Sequence, residues 1–70
     1  MPVEARLGNR LKDVRTAAGL TQAQLADLAG VSRKTINTVE NRVFVPSTVL
    51  ALRLSQALET TVEALFFLES

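Results

Sequence analysis

Cysteine and histidine are both missing from this sequence. That removes the thiolate nucleophile, the commonest metal ligand and the general base that titrates nearest neutral pH. The carboxylates Glu4, Asp13, Asp27, Glu40, Glu59, Glu63 and Glu69 stand singly along the chain, with nothing beside them to complete an acid–base or metal group. No glycine-rich phosphate loop is present. Catalysis is therefore not expected, and neither is a metal or a cofactor. What the sequence offers instead is a run of hydrogen-bond donors: Arg33, Lys34, Asn37 and Thr38, interleaved with Ile36 and Val39. On a helix that turns Ile36 and Val39 inward, these four face outward. Arginine presents a rigid fork that matches guanine O6 and N7, and lysine can make the same contact less rigidly. Threonine suits a thymine methyl or a phosphate, and asparagine suits adenine or plain solvent. The same residues would also make an ordinary solvated face, and residue type alone does not separate the two.

The elements that must carry these residues read as five helices, with no convincing strand alternation. The first is expected over about Glu4 to Ala18, where Leu7, Leu11, Val14 and Ala18 recur at the helical period and Gly19 ends the run. Gly8 lies inside it, at a cost of about 1 kcal/mol relative to alanine that close packing would explain. Thr21 caps the second helix with Gln24 reaching back, Leu25, Ala26 and Ala29 form its buried stripe, and Gly30 ends it. Ser32 caps the third, which runs to about Asn41. Only Gly30 and Val31 separate the second and third helices, so they must meet at a sharp angle. A loop to Pro46 leads to the cap Ser47 and a fourth helix over about Thr48 to Leu58, burying Leu50 or Ala51, Leu54, Ala57 and Leu58. Thr61 caps a short fifth helix, Val62 to about Phe67.

Composition fits one small globular domain, residues 1–70, with an ordinary apolar fraction. The net charge is only +1, but it is polarised. Up to Arg42 seven cations face four anions; from Val43 onward Arg53 alone faces three glutamates. A basic first part suits phosphate, and an acidic end suits another partner, although chance scatter gives the same excess. No secretory signal or membrane span is expected, since the most apolar segment, Val49 to Leu58, is short and broken by Arg53, Ser55 and Gln56. A cytoplasmic protein without membrane contact is the expectation.

The segment Gln22-x-x-Leu25-Ala26-x-x-x-Gly30-Val31-Ser32-x-x-x-Ile36-x-x-Val39-Glu40-Asn41 has a steric reason at each fixed position. Ala26 keeps two crossing helices close, Gly30 takes a turn that side chains resist, and the apolar residues lock one angle. That angle lets the second of the two helices enter a groove roughly 12 Å wide. With Arg10-Leu11-Lys12-x-x-Arg15, Gly19-Leu20-Thr21-Gln22, Pro46-Ser47 and Leu65-Phe66, the chain resembles the Cro/C1-type (XRE) helix-turn-helix regulators over about Leu7 to Phe67. Its ending, Ala64-Leu65-Phe66-Phe67-Leu68-Glu69, is similar to a compact subgroup that is little more than the DNA-binding domain.

The resemblance implies an all-α, five-helix, lambda-repressor-like fold whose second and third helices form the helix-turn-helix. It implies base contacts from Arg33 and Lys34, joined by Asn37 and Thr38. Backbone phosphate is expected to meet Gln22 at the start of the second helix, which capping by Thr21 and Gln24 leaves free. Thr21, Arg10, Asn41, Arg42 and Ser47 are the further phosphate candidates, Arg10 being equally able to face solvent and Ser47 to act as a cap. Arg42 replaces the glycine usual after Asn41, which puts the left-handed turn there in question; Glu59 likewise replaces a helix-ending glycine. Arg15 and Glu40 are implied to be an internal ion pair, structural rather than DNA-binding, because a lone buried glutamate would be costly.

Leu65 and Phe66 can serve the core, but Phe67 and Leu68 continue the apolar run beyond what one small core absorbs. Residues 59–70 are therefore read as a dimerisation element, with Phe67, Leu68 and Phe66 at the interface and the seam through the fourth and fifth helices or the final residues; Phe67 folding back on its own domain is the alternative. A two-fold dimer would set two recognition helices roughly 34 Å apart on an inverted repeat. The resulting expectation is a sequence-specific regulator of double-stranded DNA, repressing by occlusion as a homodimer, since seventy residues leave no room for an effector domain. Activation through polymerase stays open. The runner-up is an interaction module, such as an antitoxin whose C-terminal part binds a toxin or another protein partner.

Overall fold

The computed structural model describes residues 6–69. Along them run β1 (Arg6–Asn9), α1 (Leu11–Ala17), α2 (Gln22–Ala29), α3 (Arg33–Glu40), α4 (Thr48–Ala57), α5 (Val62–Leu65) and β2 (Phe66–Glu69). Four of the five helices, α2 to α5, start by one device. Thr21, Ser32, Ser47 and Thr61 each accept, on the side-chain oxygen, the backbone N–H three residues on, all at 3.1 Å. At Thr21 the capping box is complete, with Gln24 Oε1 accepting the Thr21 N–H at 2.8 Å.

Four of the helices, α1 to α4, also end by one device. Gly19, Gly30, Arg42 and Glu59 take left-handed φ values of 76°, 73°, 61° and 54°. After each, the next residue donates its N–H five residues back, Leu20 to Arg15, Val31 to Ala26, Val43 to Thr38 and Thr60 to Ser55, at 2.9–3.1 Å. These bonds satisfy carbonyls that the helix ends would otherwise leave bare. The two positions without glycine thus keep the turn that glycine would favour, and strain of about 1 kcal/mol or more at each is offset by the packing on either side.

The core consists of Leu11, Leu25, Ala26, Ala29, Ile36, Val39, Leu50, Leu54, Leu65 and Phe66, with Leu7, Val14, Val31, Ala51, Ala57, Leu58 and Val62 packed around it. Leu50 rather than Ala51 is the buried member of that pair. Helix α2 packs on both α3 and α4, and α3 also touches α1.

Three expectations are corrected at the ends of the chain. The fold is not all-α: β1 and β2 form a two-stranded antiparallel sheet, with Arg6 opposite Glu69 and Gly8 opposite Phe67. The first helix starts at Leu11, because the segment before it is engaged by β2 and because Asn9 turns the chain. Asn9 Oδ1 accepts the Leu11 N–H at 3.2 Å while its Nδ2 donates to the Val39 carbonyl at 3.0 Å. The expected start at Glu4 lies outside the described residues. The fifth helix stops at Leu65, where Phe66 turns extended at φ −127°, ψ 144°. Gly8 is therefore a strand residue, and close packing is its reason. A Cβ there would come within 2.4 Å of the Phe67 ring.

Candidate nucleic-acid interface

Helix α3 carries its donors on a face kept clear of the core. Ile36 and Val39 are buried, whereas Arg33, Lys34 and Asn37 are exposed and Thr38 is half-buried. Arg33 and Lys34 occupy the first turn, directly after the Ser32 cap, and both are exposed. Asn37 is tied one turn on to Asn41, whose Nδ2 donates to Asn37 Oδ1 at 3.3 Å. Thr38 turns its hydroxyl back to the Thr35 carbonyl at 3.0 Å, leaving its methyl as what it adds to the surface.

The angle of α3 is fixed from behind by a buried polar cluster. Arg15 Nε donates to Glu40 Oε2 at 2.6 Å and its second terminal nitrogen reaches Glu40 Oε1 at 3.2 Å, a two-point pairing. The first terminal nitrogen of Arg15 donates to the Leu20 carbonyl at 2.8 Å. The side chains of Arg15 and Glu40 are 9 % and 3 % exposed, so neither can reach DNA. Their charges cancel where desolvation would penalise either alone, and the shape of the fork holds the end of α3 to α1.

Gln22 departs from expectation: it is not free. Its Nε2 donates to Glu40 Oε1 at 3.1 Å, so the residue at the start of α2 is oriented by the glutamate at the end of α3. The bond uses one amide hydrogen and leaves the other, and the N–H groups of the first turn of α2 have no acceptor within the helix. A shallow hollow there is bordered by Thr21, Gln22, Ala23 and Arg33. It brings a helix start, suited to phosphate, beside the first base-reading candidate.

The other candidates are placed less uniformly. Thr21 and Ser47 are caps whose hydroxyl hydrogens stay available to an anion. Arg42 is paired with Glu69 at 2.8 Å, a half-exposed bridge that a phosphate can replace. Arg10 does not stand free: its guanidinium lies 4.3 Å from the Phe67 ring centre. That ring in turn covers Gly8, so Phe67 folds on its own domain. Phe66 belongs to the core at 7 % exposure and has little surface to give a partner. Of the three C-terminal residues read as an interface, Leu68 alone stands out, 75 % exposed. The fourth helix, expected as part of the dimer seam, exposes Val49 and Leu52, which the sequence reading did not single out, and that reading missed the run Val43, Phe44 and Val45 after α3. The last of these was legible as three apolar residues in a loop.

Residues 6–66 match the family model described as a helix-turn-helix domain. The chain belongs to this family, as a helix-turn-helix transcriptional regulator of the Cro/C1 (XRE) type with a DNA-binding domain. It is 36% identical over 61 residues to the uncharacterized HTH-type transcriptional regulator YgzD of Bacillus subtilis (strain 168), covering 87% of this chain and 92% of that one. It is 38% identical over 60 residues to an HTH-type transcriptional regulator of Methanothermobacter thermautotrophicus, covering 84% and 87%. The fold is similar to the crystal structure of the restriction-modification controller protein C.AhdI from Aeromonas hydrophila, with a TM-score of 0.76 and 38% identity over 79% of this chain and 83% of that one.

Proposed function

We propose that this regulator binds an inverted-repeat operator as a homodimer and represses by occluding it. The observation that carries the reading is the first turn of α3. Arg33 and Lys34 are exposed there, on a helix whose angle is set by the Arg15–Glu40–Gln22 cluster and whose cap is intact. Two cations at the tip of a rigid helix, next to a helix start suited to phosphate, fit a major groove with a guanine-containing edge. Gln22, Thr21 and Ser47 anchor the backbone on either side, Asn37 and Asn41 continue the face, and Arg42 exchanges Glu69 for a phosphate.

The dimer reading rests on apolar surface. Val49 and Leu52 on α4 and Leu68 on β2 are 60%, 48% and 75% exposed, more than a small monomer gains from showing to water. An apolar hollow beside Leu52 is lined by Leu7, Ala51, Val62 and Phe66. The α4–α5 side, with the C-terminal strand at its edge, is the face we assign to the second copy. Residues 1–70 then act as one unit that reads and dimerises, in the cytoplasm where its operator lies.

Selection of tight binders from a random duplex pool tests this. The expected product is an inverted repeat with half-sites about one turn apart, and it should be lost when Arg33→Ala and Lys34→Ala are combined. Salt-sensitive binding with no sequence preference would overturn the specific-regulator reading. A protein partner for the apolar side would then be the function to pursue.

A further inference from the structure

Val43, Phe44 and Val45 are 77%, 47% and 67% exposed, an apolar run at a place where phosphate contact would call for cations. The run is not a loose tip. The Thr38 carbonyl accepts both the Val43 N–H at 2.9 Å and the Phe44 N–H at 3.2 Å, which clamps it against the last turns of α3. Between loop and helix lies a cleft lined by Lys34, Thr35, Thr38, Val43 and Phe44. Lys34 and Thr38 are one helical turn apart on the face we assign to base edges, so the cleft opens on the same side as that face. Its chemistry is narrow. The Thr35 hydroxyl shares a hydrogen bond with Ser32 at 2.9 Å, and the Thr38 hydroxyl donates to the Thr35 carbonyl at 3.0 Å. With the Thr38 hydroxyl turned into its own helix and that of Thr35 shared with the Ser32 cap, the walls are methyl groups, a valine and an aromatic ring, and Lys34 supplies the charge.

We propose that this cleft receives the 5-methyl group of a thymine, making Val43 and Phe44 specificity-determining residues beside the recognition helix. The inference rests on the groove-reading function above. Among the four bases, thymine alone presents an apolar group in the major groove, and its O4 acceptor lies next to that methyl. An apolar slot with an ammonium at its rim matches both features. A phosphate would find the Lys34 ammonium alone and leave the methyl and ring walls unused, and cytosine offers the slot a bare ring edge. The chain therefore selects thymine at one step of each half-site by burying a methyl group, where Arg33 selects by hydrogen bonding.

The test uses the duplex recovered by selection, with thymines replaced one at a time by deoxyuridine, which removes the methyl and nothing else. Binding is followed by fluorescence anisotropy. One thymine per half-site should weaken binding about three- to fivefold on replacement, the loss expected for withdrawing a single buried methyl from one slot. In Phe44→Ser, and separately in Val43→Ser, that position should accept thymine and deoxyuridine equally, while other positions keep their preferences. Both residues are exposed, so the variants should keep the wild-type thermal midpoint. Deoxyuridine tolerated at each position overturns the slot and leaves the regulator reading standing. A uniform loss across all duplexes in Phe44→Ser assigns the ring to the sugar–phosphate backbone instead, and altered sedimentation without DNA assigns it to a second copy; either result overturns the proposal. Failure to recover any preferred duplex overturns the regulator reading, and the slot with it.

Discussion

At the residue scale, the side chain with the most at stake is Glu40. Its two oxygens take three donor contacts, from Arg15 Nε, the second terminal nitrogen of Arg15, and Gln22 Nε2. With 3 % of the side chain exposed, little water stands ready to replace a lost partner. Arg15→Met should therefore lower the unfolding free energy by about 3–5 kcal/mol, a large part of what a small domain possesses. Combining it with Glu40→Leu should restore most of the loss, since two apolar residues of similar size leave no orphaned charge. Urea titration followed by helical circular dichroism measures both, and a loss under about 1 kcal/mol in the single variant would show the pair to be no more than a surface bridge. The partnership of Arg15 and Glu40 was implied at the sequence level by the family resemblance, in keeping with the need of a glutamate amid apolar neighbours for a cation. The third member was not. Gln22 is 18 positions from Glu40 and its amide is equally suited to solvent, so nothing local reveals the bond.

At the element scale, four helix starts and four helix ends follow a common plan, and the starts were readable because capping is short-range chemistry. Thr21, Ser32, Ser47 and Thr61 needed only a side-chain oxygen and the N–H three residues on. The strands were not readable, for a physical reason. Each has four residues, too few for a period of two to show, and Leu7 and Leu11 happen to match a period of 3.6. Pairing between β1 and β2 joins segments some sixty positions apart, and only the assembled core brings them together. Asn9 was the one local sign, an asparagine placed to receive the Leu11 N–H. Among the ends, Glu59 holds φ at 54° with a Cβ that resists it. Glu59→Gly should stabilise the domain by about 1 kcal/mol. The thermal midpoint would rise by roughly 4–8 °C in a domain of this size. An unchanged or lower midpoint would mean that the side chain makes a contact worth as much as the strain it incurs.

At the scale of the whole molecule, the surface divides by chemistry. The α3 face and the start of α2 carry donors, and α4 with the end of β2 carries exposed apolar side chains. The apolar surplus was read at Phe67 and Leu68, with Phe66 able to serve the core. The fold uses Phe66 in the core and lays Phe67 over Gly8, which leaves Leu68 exposed. The exposed face is therefore expected around Leu52. Leu52→Glu should abolish the proposed dimer in sedimentation equilibrium and weaken binding to the selected duplex, while the monomer keeps its helical content. Unaltered mass in that variant would move the interface to the end of β2, where Leu68 stands.

The sheet has one more consequence. Because Arg6 lies opposite Glu69 on adjacent antiparallel strands, the polypeptide arrives at this domain and leaves it at neighbouring points, about 5 Å apart. A unit with that geometry is a cassette. It can be spliced into a surface turn of a host protein without prying the host open, and it would carry the exposed face of α3 into the new setting intact.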